Sequence, residues 1–184
     1  MKTRGVLESA HAQVRQQDLR GAPSQKRRTA QAQGVAYHDP TVCAGCGAIY
    51  TRKTWRLSVA GTARMRRAAE AGLGCCPACE QMRSGKAYGR ILLRGPFALD
   101  HEEEIRRRAR NVAVRARYTQ PERRIVSFRS TGSGVEILTT SQELAHRIAR
   151  EMEKAFHGRV SLSWSDRDGQ LNATWTRLPD PDTP

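Results

Sequence analysis

Cys43-Ala44-Gly45-Cys46 returns about thirty residues later as Cys76-Pro77-Ala78-Cys79, and these two CxxC pairs set the reading of the chain around them. A gap of two residues lets both thiolates of a pair point at one spot on a tight turn. Gly45 and Gly47 offer the left-handed backbone that such a turn takes. Two such knuckles supply four soft sulfur donors in a tetrahedron, the donor set of a structural zinc site. The spacing therefore predicts Zn2+ held by Cys43, Cys46, Cys76 and Cys79. Cys75 leaves no room for a turn before Cys76 and reads as a spare thiol. Two reducible disulfides, a thioredoxin-like redox pair and an iron–sulfur cluster draw on the same residue type. A redox CxxC stands alone at a helix start after a strand; here there are two copies, and no such strand is read.

The chain has 184 residues, enough for one or two small domains. Hydrophobic residues make up 38% and aromatics 5%, so a split core is expected. No run of about 18 apolar residues is present, so no spanning helix and no membrane partner is expected. The first residues carry no apolar secretory segment. Paired cysteines without such a segment favour a reducing compartment, the cytoplasm, and metal over disulfide.

Charge is the second strong feature. The chain has 32 Lys and Arg against 18 Asp and Glu, a net charge of +14, with a pI near 10.6. Residues 1–39 carry 7 basic and 3 acidic side chains, 40–100 carry 10 and 3, 101–140 carry 9 and 5, and 141–184 carry 6 and 7. The excess therefore lies in the front three-quarters. It reads as a footprint for a polyanion, carried mostly by arginine, which forks onto phosphate.

Four segments are expected. Residues 1–39, rich in Gln, Ala, Arg and Ser, read as a basic disordered arm with the cluster Gln25-Lys26-Arg27-Arg28. Residues 40–98 read as the four-cysteine zinc module. Within it Ile49–Leu57 is a hairpin strand, Trp55 packs on the metal site, Thr62–Ala71 is a short helix, and Arg90–Arg94 is a strand stopped by Gly95-Pro96. Residues 99–178 repeat the order helix–strand–strand. Asp100 with Glu103, and Thr140 with Glu143, mark two capping boxes. Ile105, Ala109, Val112 and Ala116, then Leu144, Ile148, Met152 and Phe156, recur at helical spacing. Strands follow at 123–129 and 134–139, and again as Val160-Leu162-Trp164 and Leu171-Ala173-Trp175 around an Asp166–Gly169 turn. Residues 179–184 read as a disordered tail. The fold class is thus α+β: a zinc-ribbon or treble-clef-like module, then an α-β-β-α-β-β two-layer domain. Its sheet is four-stranded and antiparallel, with both helices on one face and the other face polar and open.

Signs of catalysis are few. There is no glycine-rich phosphate loop and no GxSxG, and His38, His101, His146 and His157 read as surface residues. Glu102-Glu103-Glu104 suits the positive end of a helix dipole. A closed four-thiolate site leaves no position for a reactive water. The expectation is a protein that is not an enzyme.

With the knuckles placed, three further stretches carry a resemblance: Cys76-Pro-Ala-Cys through Gly95-Pro-Phe97, Thr140-Ser-Gln-Glu-Leu-Ala-His-Arg-Ile-Ala149, and the closing Val160-Ser-Leu-Ser-Trp164 to Ala173-Thr-Trp175 hairpin. Over roughly residues 41–176 the chain resembles the front, zinc-binding region of the large-ribosomal-subunit export adaptor family. It is also similar to small bacterial zinc-binding relatives of unassigned function. The resemblance implies zinc ligation by the same four cysteines and docking of the cysteine-rich end on a ribosomal subunit. The chain has fewer CxxC pairs than that family's front end, and no later domains or export segment are read. The expectation is therefore contact with ribosomal RNA or ribosomal proteins, without an export role.

The leading functional expectation is a zinc-stabilised, ribosome-associated RNA binder, monomeric away from its partner. Arg52, Lys53, Arg56, Arg64, Arg66, Arg67, Arg83, Lys86, Arg90, Arg94, Arg106, Arg107 and Arg110 would meet phosphates, and Tyr50 or Tyr88 would stack on bases. A zinc-ribbon DNA-binding regulator, with the Thr62–Ala71 helix in a major groove, is one alternative. A protein-interaction adaptor using the open sheet face is another.

Overall fold

The structure, a computed structural model, describes residues 36–57, 72–165, 167 and 169–177. It is α+β, with four described helices and two sheets, both mixed. The arm's residues 1–35, the Thr62–Ala71 helix and the 179–184 tail lie outside the described residues.

The first sheet is small. β1 (Thr41–Cys43) pairs antiparallel with β2 (Ile49–Thr51), and β2 pairs with β3 (Thr54–Arg56). β4 (Gly72–Gly74) joins β1 in parallel. A helix, α1 (Pro77–Ser84), follows at once. From sequence, Gln81–Tyr88 reads only as polar, yet its first four residues complete this helix. Cys76 is the N-cap, Pro77 opens the first turn, and Gly85 closes it at φ 68. Tyr37, placed in the arm by the sequence, packs instead on Tyr50 and Trp55, with ring centroids 5.1 and 5.0 Å away.

The second sheet corrects the expectation most. It has five strands, in the order β6-β7-β5-β9-β8, and is not antiparallel throughout. β5 (Gly89–Arg94), assigned to the zinc module from sequence, is the central strand. It runs antiparallel to β7 (Gly134–Thr139) and parallel to β9 (Leu171–Thr176). β6 (Ile125–Thr131) and β8 (Arg159–Trp164) form the edges. The physical reason lies in β5 itself. Ile91 and Leu93 are fully buried, and apolar side chains of this size need covering strands on both sides as well as a helix above.

Three helices accompany this sheet: α2 (Pro96–Asp100), α3 (Glu102–Thr119) and α4 (Gln142–Phe156). The apolar stripes read from the sequence are the ones buried. Ile105, Ala109, Val112 and Ala116 of α3 join Leu144, Ile148, Met152 and Phe156 of α4. They pack with Ile91, Leu93, Ile137, Leu171 and Trp175 from one face of the sheet. Trp175 is fully buried and donates its indole N–H to His157 O at 2.7 Å, so the ring is buried without an orphaned donor.

Both capping boxes fail. Asp100 ends α2, and α3 begins at His101 without a side-chain cap. Ser141, not Thr140, caps α4, accepting from the Leu144 amide at 3.2 Å. Thr140 is engaged elsewhere. Its hydroxyl accepts from the Arg124 amide at 2.8 Å, and its own amide donates to Arg124 O at 2.9 Å. β6 consequently starts two residues later than expected, leaving Arg124 just outside it.

Candidate metal centre

The sulfurs of Cys43, Cys46, Cys76 and Cys79 all lie within 4.8 Å of one another. Cys46 Sγ and Cys76 Sγ are 3.7 Å apart, and all five cysteines are free. A disulfide needs about 2.05 Å. Four sulfurs each about 2.3 Å from a shared ion stand roughly 3.8 Å from one another, so the donor set fits a tetrahedral metal.

Local sequence explains the convergence. The first knuckle is the turn between β1 and β2, closed by Cys43 N donating to Ala48 O and Gly47 N to Cys43 O, both at 2.8 Å. Gly47 sits at φ 69, where only glycine is at ease. Gly45 is favoured by space instead: a Cβ there would stand 3.1 Å from Cys79 Sγ, a tight approach. Ala44 N donates to Gly74 O at 2.9 Å, tying this knuckle to the strand that delivers the second one. Contrary to the sequence reading, a strand does precede the second pair, and that pair does open a helix. What separates the site from a redox pair is the convergence of four sulfurs rather than two.

Amide dipoles converge on the sulfurs. Cys76 N donates to Cys43 Sγ at 3.2 Å, and Cys79 N to Cys76 Sγ at 3.5 Å, at the positive end of α1. Burial opposes the Cys43 thiolate, but the amides of Cys76 and Gly45 outweigh it and hold Cys43 down at about 6. Burial pushes the Cys76 and Cys79 thiols up. A divalent ion with four thiolates keeps excess negative charge, and a guanidinium lies against the sulfurs. Arg124 Nη1 donates to Cys79 Sγ at 3.2 Å, and Nη2 reaches Cys76 Sγ at 3.9 Å. Burial works to lower the Arg124 pKa, yet the sulfurs, Cys46 foremost, hold it above its ordinary value.

Cys75 stands outside the four, its Sγ 3.1 Å from Arg83 Nη2. Trp55 is buried in one cluster with Cys43 and Cys76, as its sequence reading has it. Tyr50 is 9% exposed and packed on Trp55, so it has no free face for a base. Tyr88 is half-buried under Lys86, whose Nζ stands 5.3 Å from the ring centre.

The basic residues picked out from sequence do not form one patch. Arg52, Lys53 and Arg56 are exposed around the β2–β3 turn. Arg83, bonded to Glu80 at 3.3 Å, borders the sulfurs with Arg124. Arg90 is paired with Glu136 at 2.7 Å, and Arg94 is exposed at the end of the same strand. Arg106 is taken up by Glu102, Glu103 and the Phe128 ring, while Arg107 and Arg110 are exposed on α3. Arg64, Arg66 and Arg67 lie outside the described residues. Arg124, missed by sequence reasoning, has no distinguishing local pattern: Glu122-Arg123-Arg124 reads as a charged turn, and only the fold brings it to the cysteines.

No described helix is long and apolar enough to cross a membrane. No protein-family model matches the chain, and no curated protein matches it.

Proposed function

We propose that the chain is a non-catalytic RNA-binding protein, stabilised by zinc in a treble-clef-like module and associated with ribosomal particles in the cytoplasm. The observation that carries the reading is the closed set of four sulfurs within a strongly basic, arginine-rich chain. All four positions of a tetrahedral ion are filled by protein, so the ion would hold structure rather than activate water. Thiolate donors of this number and spacing favour zinc. A net charge of +14 supplies the attraction for a polyphosphate. The ribosomal partner is supported by the resemblance of residues 41–176 to the export adaptor's front region, and ribosomal proteins are a second contact that it implies. The protein is monomeric off its partner in this reading.

The test is metal analysis together with sedimentation. The purified protein should carry about one zinc per chain, and in lysate it should travel with ribosomal particles at low salt and leave them at high salt. Protein that stays at the top of the gradient at every salt concentration would count against the reading.

A further inference from the structure

Both sides of the second sheet carry arginines. On the helix side, Arg106 is tied to Glu102 and Glu103, Arg108 to Glu104 and Glu151, and Arg150 to Glu153, while Arg107, Arg110, Arg115 and Arg147 are exposed on the two helices. On the open side, strand register lines up a second set. Arg90 and Arg94 of β5, Arg129 of β6 and Arg159 of β8 all alternate out of phase with the buried Ile91, Leu93, Ile137 and Trp175. Among the described residues of these strands, Glu136 is the one acid on that face, and Arg90 engages it at 2.7 Å. Arg94, Arg129 and Arg159 are exposed and enter no ion pair among the described residues.

The geometry points to the open sheet face as a binding surface for the backbone of double-stranded RNA, an inference that rests on the RNA-binding reading and adds the surface and the form of RNA. Among the described residues of its strands, the face has no aromatic side chain, so it offers no platform for the splayed bases of a single strand. Its cations are spread in two dimensions rather than along a track. Arg129 and Arg159 sit on opposite edge strands, four strand spacings or roughly 19 Å apart, and Arg90 and Arg94 are roughly 13 Å apart along the centre. Leu92 and Leu138 lie at the middle of the face, and short hydroxyl and amide side chains, such as the paired Ser161 and Thr174, fill the side toward β8. Two phosphate rows with 2′-hydroxyls between them, as in the wide minor groove of A-form RNA, match that layout.

The test uses the full-length, zinc-loaded protein and fluorescence anisotropy over a range of salt. The probes are a short RNA hairpin duplex, an unstructured single-stranded RNA, a DNA duplex and polyglutamate. R94Q/R129Q/R159Q is compared with R115Q/R147Q/K154Q, which removes equal charge from the helix side; thermal melts verify that both are folded. The wild type should prefer the RNA duplex about tenfold or more. The open-face variant should lose at least about tenfold in affinity, and its salt slope should fall by about 3, one per residue. The helix-side variant should bind nearly as the wild type does. Wild-type RNA binding unchanged in the open-face variant would overturn the surface, and a preference for single strands or DNA would overturn the form. Polyglutamate bound as tightly as RNA, and lost with the same three residues, would make the occupant an acidic protein. Failure of the wild type to bind any RNA would instead defeat the RNA-binding reading itself.

Discussion

Arg124, one residue before β6, and Cys79, in α1, are in direct contact: the guanidinium Nη1 donates to Cys79 Sγ at 3.2 Å. The arginine is braced from behind by its Nε, which donates to Pro121 O at 2.9 Å, and by its backbone N–H, which donates to Thr140 Oγ1 at 2.8 Å. The surroundings of the four sulfurs are therefore furnished by the approach to β6.

Replacing Arg124 with Ala removes a donor from two ligand sulfurs and leaves excess negative charge unopposed. Metal affinity should fall by about 10–100-fold, the usual effect of losing an outer-shell partner. Competition with a chromophoric chelator measures this, and Arg124→Lys should recover part of the loss through its charge alone.

Cys76→Ser separates two roles of one residue. Serine still caps a helix well, so the N-cap of α1 is retained while a metal ligand is lost. Amide hydrogen exchange should show protection lost in β1, β2 and α1 and largely kept in β5, β7 and β9. Unchanged protection in β1 and α1 would show that metal does not hold this region together.

Gly89→Ala should destabilise the second layer by about 1–3 kcal/mol or more, because the added methyl has nowhere to go. It would meet Ala145 Cβ at 2.4 Å, Thr139 Oγ1 at 2.5 Å and Ser141 O at 2.9 Å. Denaturant midpoints for the variant and wild type, both metal-loaded, give the difference.

His146 supplies a pH dependence. Burial, then the positive charge of Arg150, pushes its pKa below the ordinary value. The folded protein thus prefers the neutral ring, while the unfolded chain titrates near 6.5. As pH falls through that value the unfolded state takes up the proton first, so stability drops. His146→Gln should show a shallower loss between about pH 7.5 and 5, read as the difference in denaturation midpoint from wild type.

The helices α3 and α4 and the hairpins β6–β7 and β8–β9 were legible because each depends on near neighbours: apolar stripes at helical spacing, strict alternation, and a Gly or Asp turn. The four-cysteine cluster was legible for the same reason, since CxxC is a local device. The position of β5 was not. Arg-Ile-Leu-Leu-Arg says that a strand is buried, but its parallel partner Leu171–Thr176 lies some eighty residues on, and no local pattern names it. The second cap slipped because Thr140 and Ser141 are equally able to cap, and the choice was made by Arg124 claiming the threonine. Arg124 itself was hidden by the abundance of arginine, which makes any single one anonymous until the chain is folded.

The central place of β5 also bears on how the molecule can be taken apart. A fragment starting at residue 99, cut where composition suggests a border, would hold two hairpins with an empty slot between them. Val135, Ile137, Ala173 and Trp175 would face that gap. Such a fragment would satisfy itself by borrowing a strand from a neighbour, and precipitates or swapped multimers are the expected outcome of dissection at that point. A workable smaller piece has to begin before Gly89, and to keep the sulfur cluster intact it has to reach back to Tyr37.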